Sequence, residues 1–135
     1  GVSGPYEFEG LNLIERTFEH IYYLLCFHGL NLFYKLLPGH GGVFLLGGNF
    51  AVRRWVIKKI NGFNTSIAFY GEDTNLTRRV AKYGKIKFSN RLKVVSSPRR
   101  LRGQGAIKTI GLYFANFLSE VIFKRPASKN YKDIR

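Results

Sequence analysis

The sequence predicts an α/β fold, a mixed sheet with flanking helices in a single domain, and three observations carry that prediction. Apolar residues recur at three- and four-residue steps over 11–26 (Leu11, Ile14, Phe18, Tyr22, Leu25) and over 105–123 (Ile107, Ile110, Phe114, Phe117, Val121), the period of amphipathic helices. Between them, the short runs 43–46, 85–88 and 92–95 are apolar or alternate charge with apolarity, which suits strands. With 45% hydrophobic and 16% aromatic residues, the 135-residue chain can build one core, which excludes a disordered tail.

Each element follows from local chemistry. The helix over 11–26 is expected to lay its apolar face on the sheet. Glu15, Glu19 and His20 fall on or near its polar side, but the spacing does not put two histidines on one face, so no metal site is expected there. Cys26 is the single cysteine and lies in an apolar run. An internal disulfide is therefore excluded, and a buried thiol in a reducing compartment is expected. His28, within an apolar run, and His40, in the loop 38–42, belong to no ligand set. Residues 27–37 are broken by Gly29, Asn31 and Lys35, which suits an in-plane helix rather than a membrane span. After the turn at 38–42, the strand 43–46 leads into Gly47 and Gly48, which permit the close approach of a ligand or of backbone; a strand bulge would use the same two glycines.

The next helix is expected to turn Trp55, Val56 and Ile60 to the core and to end at Asn61-Gly62, with Arg53, Arg54, Lys58 and Lys59 clustered around it. The run GEDTNLTRRVAKYG over 71–84 then sets two adjacent carboxylates, Glu72 and Asp73, into a cationic region. Asp73 stands where a helix cap belongs, with Leu76, Val80 and Tyr83 continuing at helical spacing until Gly84. The helix dipole would keep such a carboxylate ionised and able to accept a proton from a hydroxyl, although the same residues also suit an ordinary N-cap. Past the strands, Arg99, Arg100 and Arg102 precede Gly103 and suit bidentate contacts to phosphate oxygens. The 105–123 helix is amphipathic rather than spanning. With basic residues on both sides, it suits either an anionic membrane surface or packing onto its own domain.

Charge is uneven: residues 1–50 carry two basic and four acidic side chains and residues 51–135 twenty and four, or −2 against +16. That balance attracts polyanions, the candidates being nucleotide diphosphates, anionic lipid headgroups and nucleic acid. A basic membrane-surface or nucleic-acid-binding module without catalysis is thus an alternative class, but no nucleic-acid-binding motif is recognisable and the aromatics fall mainly on helical apolar faces. No specific nucleic acid is expected as a partner. The opening residues lack a basic start followed by an apolar core, so no secretory signal is expected.

Taken together, Gly48, Asn49, Ala51, Arg53 and Arg54, then Asn61-Gly62-Phe63, then Gly71-Glu72-Asp73, resemble in order and spacing the family-two glycosyltransferases. Ser97-Pro98-Arg99-Arg100 is similar to a Ser-x-Arg-Arg segment of many members, and the resemblance covers the chain from Gly1 to about Leu118. It implies part of an A-type nucleotide-sugar transferase fold. The family's N-terminal nucleotide-binding half, ending in an Asp-x-Asp metal motif, is not matched: no Asp-x-Asp occurs. The resemblance therefore implies a C-terminal, acceptor-side portion, with 1–104 as sheet and acceptor-site region, 105–123 as amphipathic helix and 124–135 as basic tail, inactive on its own.

The resemblance also implies the chemistry. Asp73 would be the base for an acceptor hydroxyl and Glu72 its electrostatic support, in an inverting transfer from a nucleotide-diphosphate sugar to a hydroxyl acceptor, lipid-linked or of the cell envelope. Gly47, Gly48 and Asn49 would shape the sugar and acceptor pocket, and Arg99, Arg100 and Arg102 would meet the leaving pyrophosphate. A divalent cation, Mg2+ or Mn2+, would be held mainly by the unmatched half. Processive relatives carry a Gln-x-x-Arg-Trp motif at a comparable place, and its absence implies a non-processive enzyme. A cytoplasmic location, peripheral at the inner face of the membrane, is expected.

Overall fold

A computed structural model describes residues 1–23, 29, 32, 36, 43 and 45–128. The expectations for Cys26, His28, the turn at 38–42 and the tail cations Lys129, Lys132 and Arg135 lie outside the described residues, as does most of the helix expected over 27–37. What is described is a mixed α/β arrangement. Five short strands, β1 (Val2–Ser3), β2 (Tyr6–Phe8), β3 (Phe50–Ala51), β4 (Lys87–Phe88) and β5 (Val94–Ser96), make two small sheets. In the first, β1 is central, antiparallel to β3 with Val2 opposite Ala51, and parallel to β4 with Val2 opposite Lys87. In the second, β2 and β5 run parallel with Tyr6 opposite Val94.

Helix α1 (Leu13–Tyr22) starts on a capping box, in which the Asn12 side chain accepts from Glu15 N and the Glu15 carboxylate accepts from Asn12 N. Helix α2 (Arg54–Lys59) ends where Asn61-Gly62 was expected to end it. Asn61 at φ 56° donates to Lys58 O, and Gly62 at φ 71° donates to Ile57 O, the paired bonds of a Schellman turn. Helix α3 (Glu72–Val80) continues as a 3-10 turn over Ala81–Tyr83 and stops at Gly84. From α3, the Arg79 guanidinium donates to the carbonyls of Ile60 and Gly62, clamping the α2 turn. Helices α4 (Arg99–Gln104) and α5 (Ala106–Phe123) meet at Gly105, whose φ of 85° breaks the axis between them.

The main core gathers Leu45, Val56, Leu76, Val80 and Ile86, with Phe50, Ile57 and Ile60 packed around them. A smaller cluster joins Phe117 and Val121 of α5 to Tyr23, Leu46 and Phe88. Two expectations fail against this packing. Trp55 is exposed, because six residues of α2 give one inward row and Val56 fills it. The apolar face of α1 does not cover the sheet: Leu13, Ile14, Phe18 and Ile21 are exposed, while the Glu15 and Glu19 carboxylates meet Arg102 and the Phe8 N–H.

On α5 the seam is also split. Phe117 and Val121 are buried as expected, whereas Ile107 and Phe114 are exposed and the polar Thr109, Asn116 and Glu120 are buried. Glu120 has a reason to be inside: its carboxylate accepts from Asn75 Nδ2 at 2.9 Å and pairs with Arg78 at 3.4 Å, fastening α5 to α3. Removing one partner of a buried ion pair strands the other, which typically costs about 3–5 kcal/mol. Glu120→Ala is therefore expected to destabilise the fold by that order in urea unfolding, and Glu120→Gln, which keeps the Asn75 bond, by clearly less.

Candidate active site

The candidate site forms where the start of α3 meets the turn at 46–49. Gly71, in the left-handed region at φ 85°, begins the helix, so Glu72 and Asp73 occupy its first turn rather than its cap. This corrects the expectation that Asp73 is the capping residue. One Asp73 oxygen accepts the Gly47 N–H at 3.0 Å and the other the Thr74 N–H at 2.7 Å. Leu46 and Asn49 close the turn through Asn49 N donating to Leu46 O at 2.9 Å, with Gly48 at φ 82°. The expected strand at 43–46 is present among the described residues only as the bridge between Leu46 and Asn49.

Gly47 has a steric reason for lacking a side chain. A Cβ there would stand 3.1 Å from an Asp73 oxygen and 3.4 Å from a Glu72 oxygen, so the turn lies directly over both carboxylates. At Gly48 a Cβ would strike the Tyr6 hydroxyl, which itself donates to the Gly47 carbonyl. Tyr6 thus enters the site from β2, and burial first, then the charge of Asp73 and the neighbouring Tyr113 and Glu72, push its hydroxyl up to about 12. It stays protonated and a donor at neutral pH.

Both acids are held above their ordinary range. Burial and the adjacent Asp73 charge raise Glu72 to about 7, against the backbone N–H groups of its own turn. Burial raises Asp73, while the N–H groups of Gly47 and Thr74 pull it back. Among the described residues, no ion pair involves either one. Beyond them stands an aromatic rim, in which Tyr70 meets Tyr113 edge-on at 5.5 Å and Phe69 at 5.0 Å. Arg100 covers the Phe69 ring at 4.9 Å and donates to the Tyr113 hydroxyl at 3.0 Å, which joins α4 to the rim.

The structure thus brings together Gly47, Gly48, Glu72 and Asp73, with Arg100 joined through Tyr113. It separates the others. Asn49 is buried, and its side-chain N–H groups hold the carbonyls of Pro5 and Leu92, each at 2.9 Å, so it ties β1 and β2 to the approach of β5 instead of facing a ligand. Arg102 points to α1, where it donates to the Gly10 carbonyl and pairs with Glu15 at 2.8 Å; the hydrogen bond from Arg102 to Glu15 lowers that carboxyl to about 2. Arg99 is exposed on the outer side of α4. Tyr6, Tyr70 and Tyr113 went unnoticed in the sequence because they lie far apart in it and no spacing rule joins them. Among the described residues no group of three His, Cys, Asp or Glu side chains could hold a metal ion. The divalent cation implied by the resemblance does not fit these residues, and no step on this chain is routed through one.

The raised Glu72 carboxyl sets a pH dependence. A folded-state value of about 7 against an ordinary 4.5 means that the native chain binds this proton more tightly than the unfolded one. The associated stability is complete below pH 4.5 and is lost as pH rises through 7. Glu72→Gln removes the charge, so the variant's melting temperature should pull ahead of the parent's between those limits, by the order of 1–2 kcal/mol for a partly exposed group. Equal pH profiles in thermal melts would contradict this account. No family model, curated protein or solved structure matches the chain, so the chemistry of the site rests on these residues.

Proposed function

We propose that this chain supplies the acceptor side of an inverting sugar transferase that uses a nucleotide-diphosphate donor. The observation that supports it best is the meeting of Glu72 and Asp73 beneath the Gly47-Gly48 turn, beside an aromatic rim and with no ion pair among the described residues. Paired acids beside aromatic faces suit a polyhydroxyl molecule, whose C–H faces stack on rings and whose hydroxyls donate to carboxylates. The reaction class comes from the resemblance of 48–73 to family-two glycosyltransferases.

In this reading an acceptor hydroxyl donates to Asp73 and attacks the anomeric carbon of the donor sugar. The new C–O bond forms as the bond from that carbon to the diphosphate oxygen breaks. The hydroxyl proton passes to Asp73, and the bonding electron pair leaves on the nucleotide diphosphate. Glu72, charged or neutral according to pH near its value of about 7, sets the field in which Asp73 accepts the proton. Tyr6 donates to the Gly47 carbonyl and so holds the turn in place over the acids. Arg100, which donates to the Tyr113 hydroxyl of the rim, and Arg99 on the same helix would meet a departing phosphate. By the resemblance a divalent cation would be held mainly by the unmatched half and would there neutralise charge on the leaving group. On the absence of the Gln-x-x-Arg-Trp motif of processive relatives, the reading is of a non-processive transferase, and the basic charge favours work at the cytoplasmic side of a membrane.

The test is a transfer assay with nucleotide-diphosphate sugars on an active transferase that contains this chain. Asp73→Asn should lower turnover per folded molecule by about 10²–10⁴-fold, the range of a positioned base, with the folded fraction read by circular dichroism because Asn keeps one of the two oxygens that accept the Gly47 and Thr74 N–H groups. Turnover within a few-fold of the parent would remove Asp73 from the role.

A further inference from the structure

Helix α5 buries Phe117 and Val121, but beside them it also buries polar residues while exposing large apolar ones. Its row Thr109, Asn116 and Glu120 is buried, Asn116 and Glu120 being 1% and 0% exposed, and packs toward α3 through Asn75 and Arg78. On the opposite side Ile107, Gly111, Phe114 and Ile122 are exposed on one face of the helix, with the half-buried Leu118 between them packing toward Phe117 and Val121. Ile107 is 84%, Phe114 44% and Ile122 60% exposed. A helix packed on a domain and facing only water turns these two sides the other way. The same reversal recurs on α1, where Glu15 and Glu19 turn inward and Leu13, Ile14, Phe18 and Ile21 outward.

The charges around the α5 stripe are of one sign. Exposed Lys108 lies near its start and exposed Lys124 and Arg125 at its end, while the one acid of the helix, Glu120, is buried. A second copy of this chain, itself at +14, would bring cation against cation. A bilayer containing anionic lipid offers both complements at once, acyl chains for the stripe and headgroup phosphates for its ends. By length and composition α5 would suffice to cross a membrane, with a mean hydropathy of 1.3. Its polar row, however, is occupied by α3, which leaves one stripe for lipid and sets the axis in the plane of the surface.

The geometry points to the outward stripe of α5, Ile107, Phe114 and Ile122 with Lys108, Lys124 and Arg125, as an in-plane docking surface for anionic lipid bilayers. It stands apart from the sugar-transfer reading, since no residue of the stripe belongs to the carboxylate site.

The experiment is flotation of the full chain with vesicles of phosphatidylcholine alone or mixed with phosphatidylglycerol. Uptake should require phosphatidylglycerol and fall as salt rises. Ile107→Glu, Phe114→Glu and Ile122→Glu together should reduce partitioning by about tenfold or more at an unchanged melting temperature, since these side chains are exposed. Ile122→Gln alone, a milder change at the helix end, should give a smaller loss in the same direction. Lys108→Gln with Lys124→Gln and Arg125→Gln should lose the preference for phosphatidylglycerol while keeping the residual apolar uptake. The proposal is overturned if the parent does not float with anionic vesicles, or if the glutamate variant keeps its fold and floats equally well. It is also overturned if sedimentation shows an oligomer that the glutamate changes disperse without any vesicle uptake, which would make a second copy the occupant.

Discussion

The segment 45–49 passes through the middle of this molecule with almost no strand ladder, and its backbone is satisfied by side chains instead. Leu45 N donates to the Thr77 hydroxyl and Leu46 N to the Ser3 hydroxyl, each at 2.8 Å, and Gly47 N donates to Asp73. The Gly47 carbonyl accepts from Tyr6 and the Asn49 carbonyl from Ser3. Buried backbone groups left without partners would cost far more than these bonds return in net terms, so each of the five contacts is obligatory. Through them β1, β2 and α3 are fixed to one turn, and both small sheets take their relative position from it.

That constraint divides the labour between the two acids. Asp73 is part of the scaffold, because one of its oxygens holds the Gly47 N–H. Among the described residues Glu72 makes no comparable long-range hydrogen bond, and its carboxyl is raised to about 7. A carboxylate that accepts two N–H bonds is fixed in direction, and a fixed direction is what a proton acceptor needs. Burial raises both acids, so the site stores electrostatic strain that the remaining packing must offset.

The local signals in the sequence were legible. The Asn61-Gly62 stop, the Gly84 stop, the strands near 87–88 and 94–96 and the core positions Val56, Leu76, Val80, Phe117 and Val121 all follow from periodicity and turn chemistry, which act within a few residues. Within the site, Gly47, Gly48, Glu72 and Asp73 were joined only by the family resemblance, since the residues alone suited a strand bulge and an ordinary helix cap equally. The contributions of Tyr6 and Tyr113 were not, nor was the diversion of Asn49 and Arg102 to structural partners, since each depends on a contact between residues tens of positions apart. Helical periodicity identified two amphipathic helices but not which side each turns inward. Glu120 reverses α5 by finding Asn75 and Arg78, and Glu15 and Glu19 reverse α1 by finding Arg102 and the Phe8 amide.

Gly71 joins these themes. Its left-handed backbone starts α3 one residue before Glu72, and a Cβ there would reach ordinary van der Waals contact with the Glu120 Cβ at 3.5 Å. The beginning of the carboxylate helix and the last turns of α5 therefore lie side by side. A load on α5 reaches α3 through the Glu120 carboxylate, held by Asn75 and Arg78 two and five residues beyond Asp73.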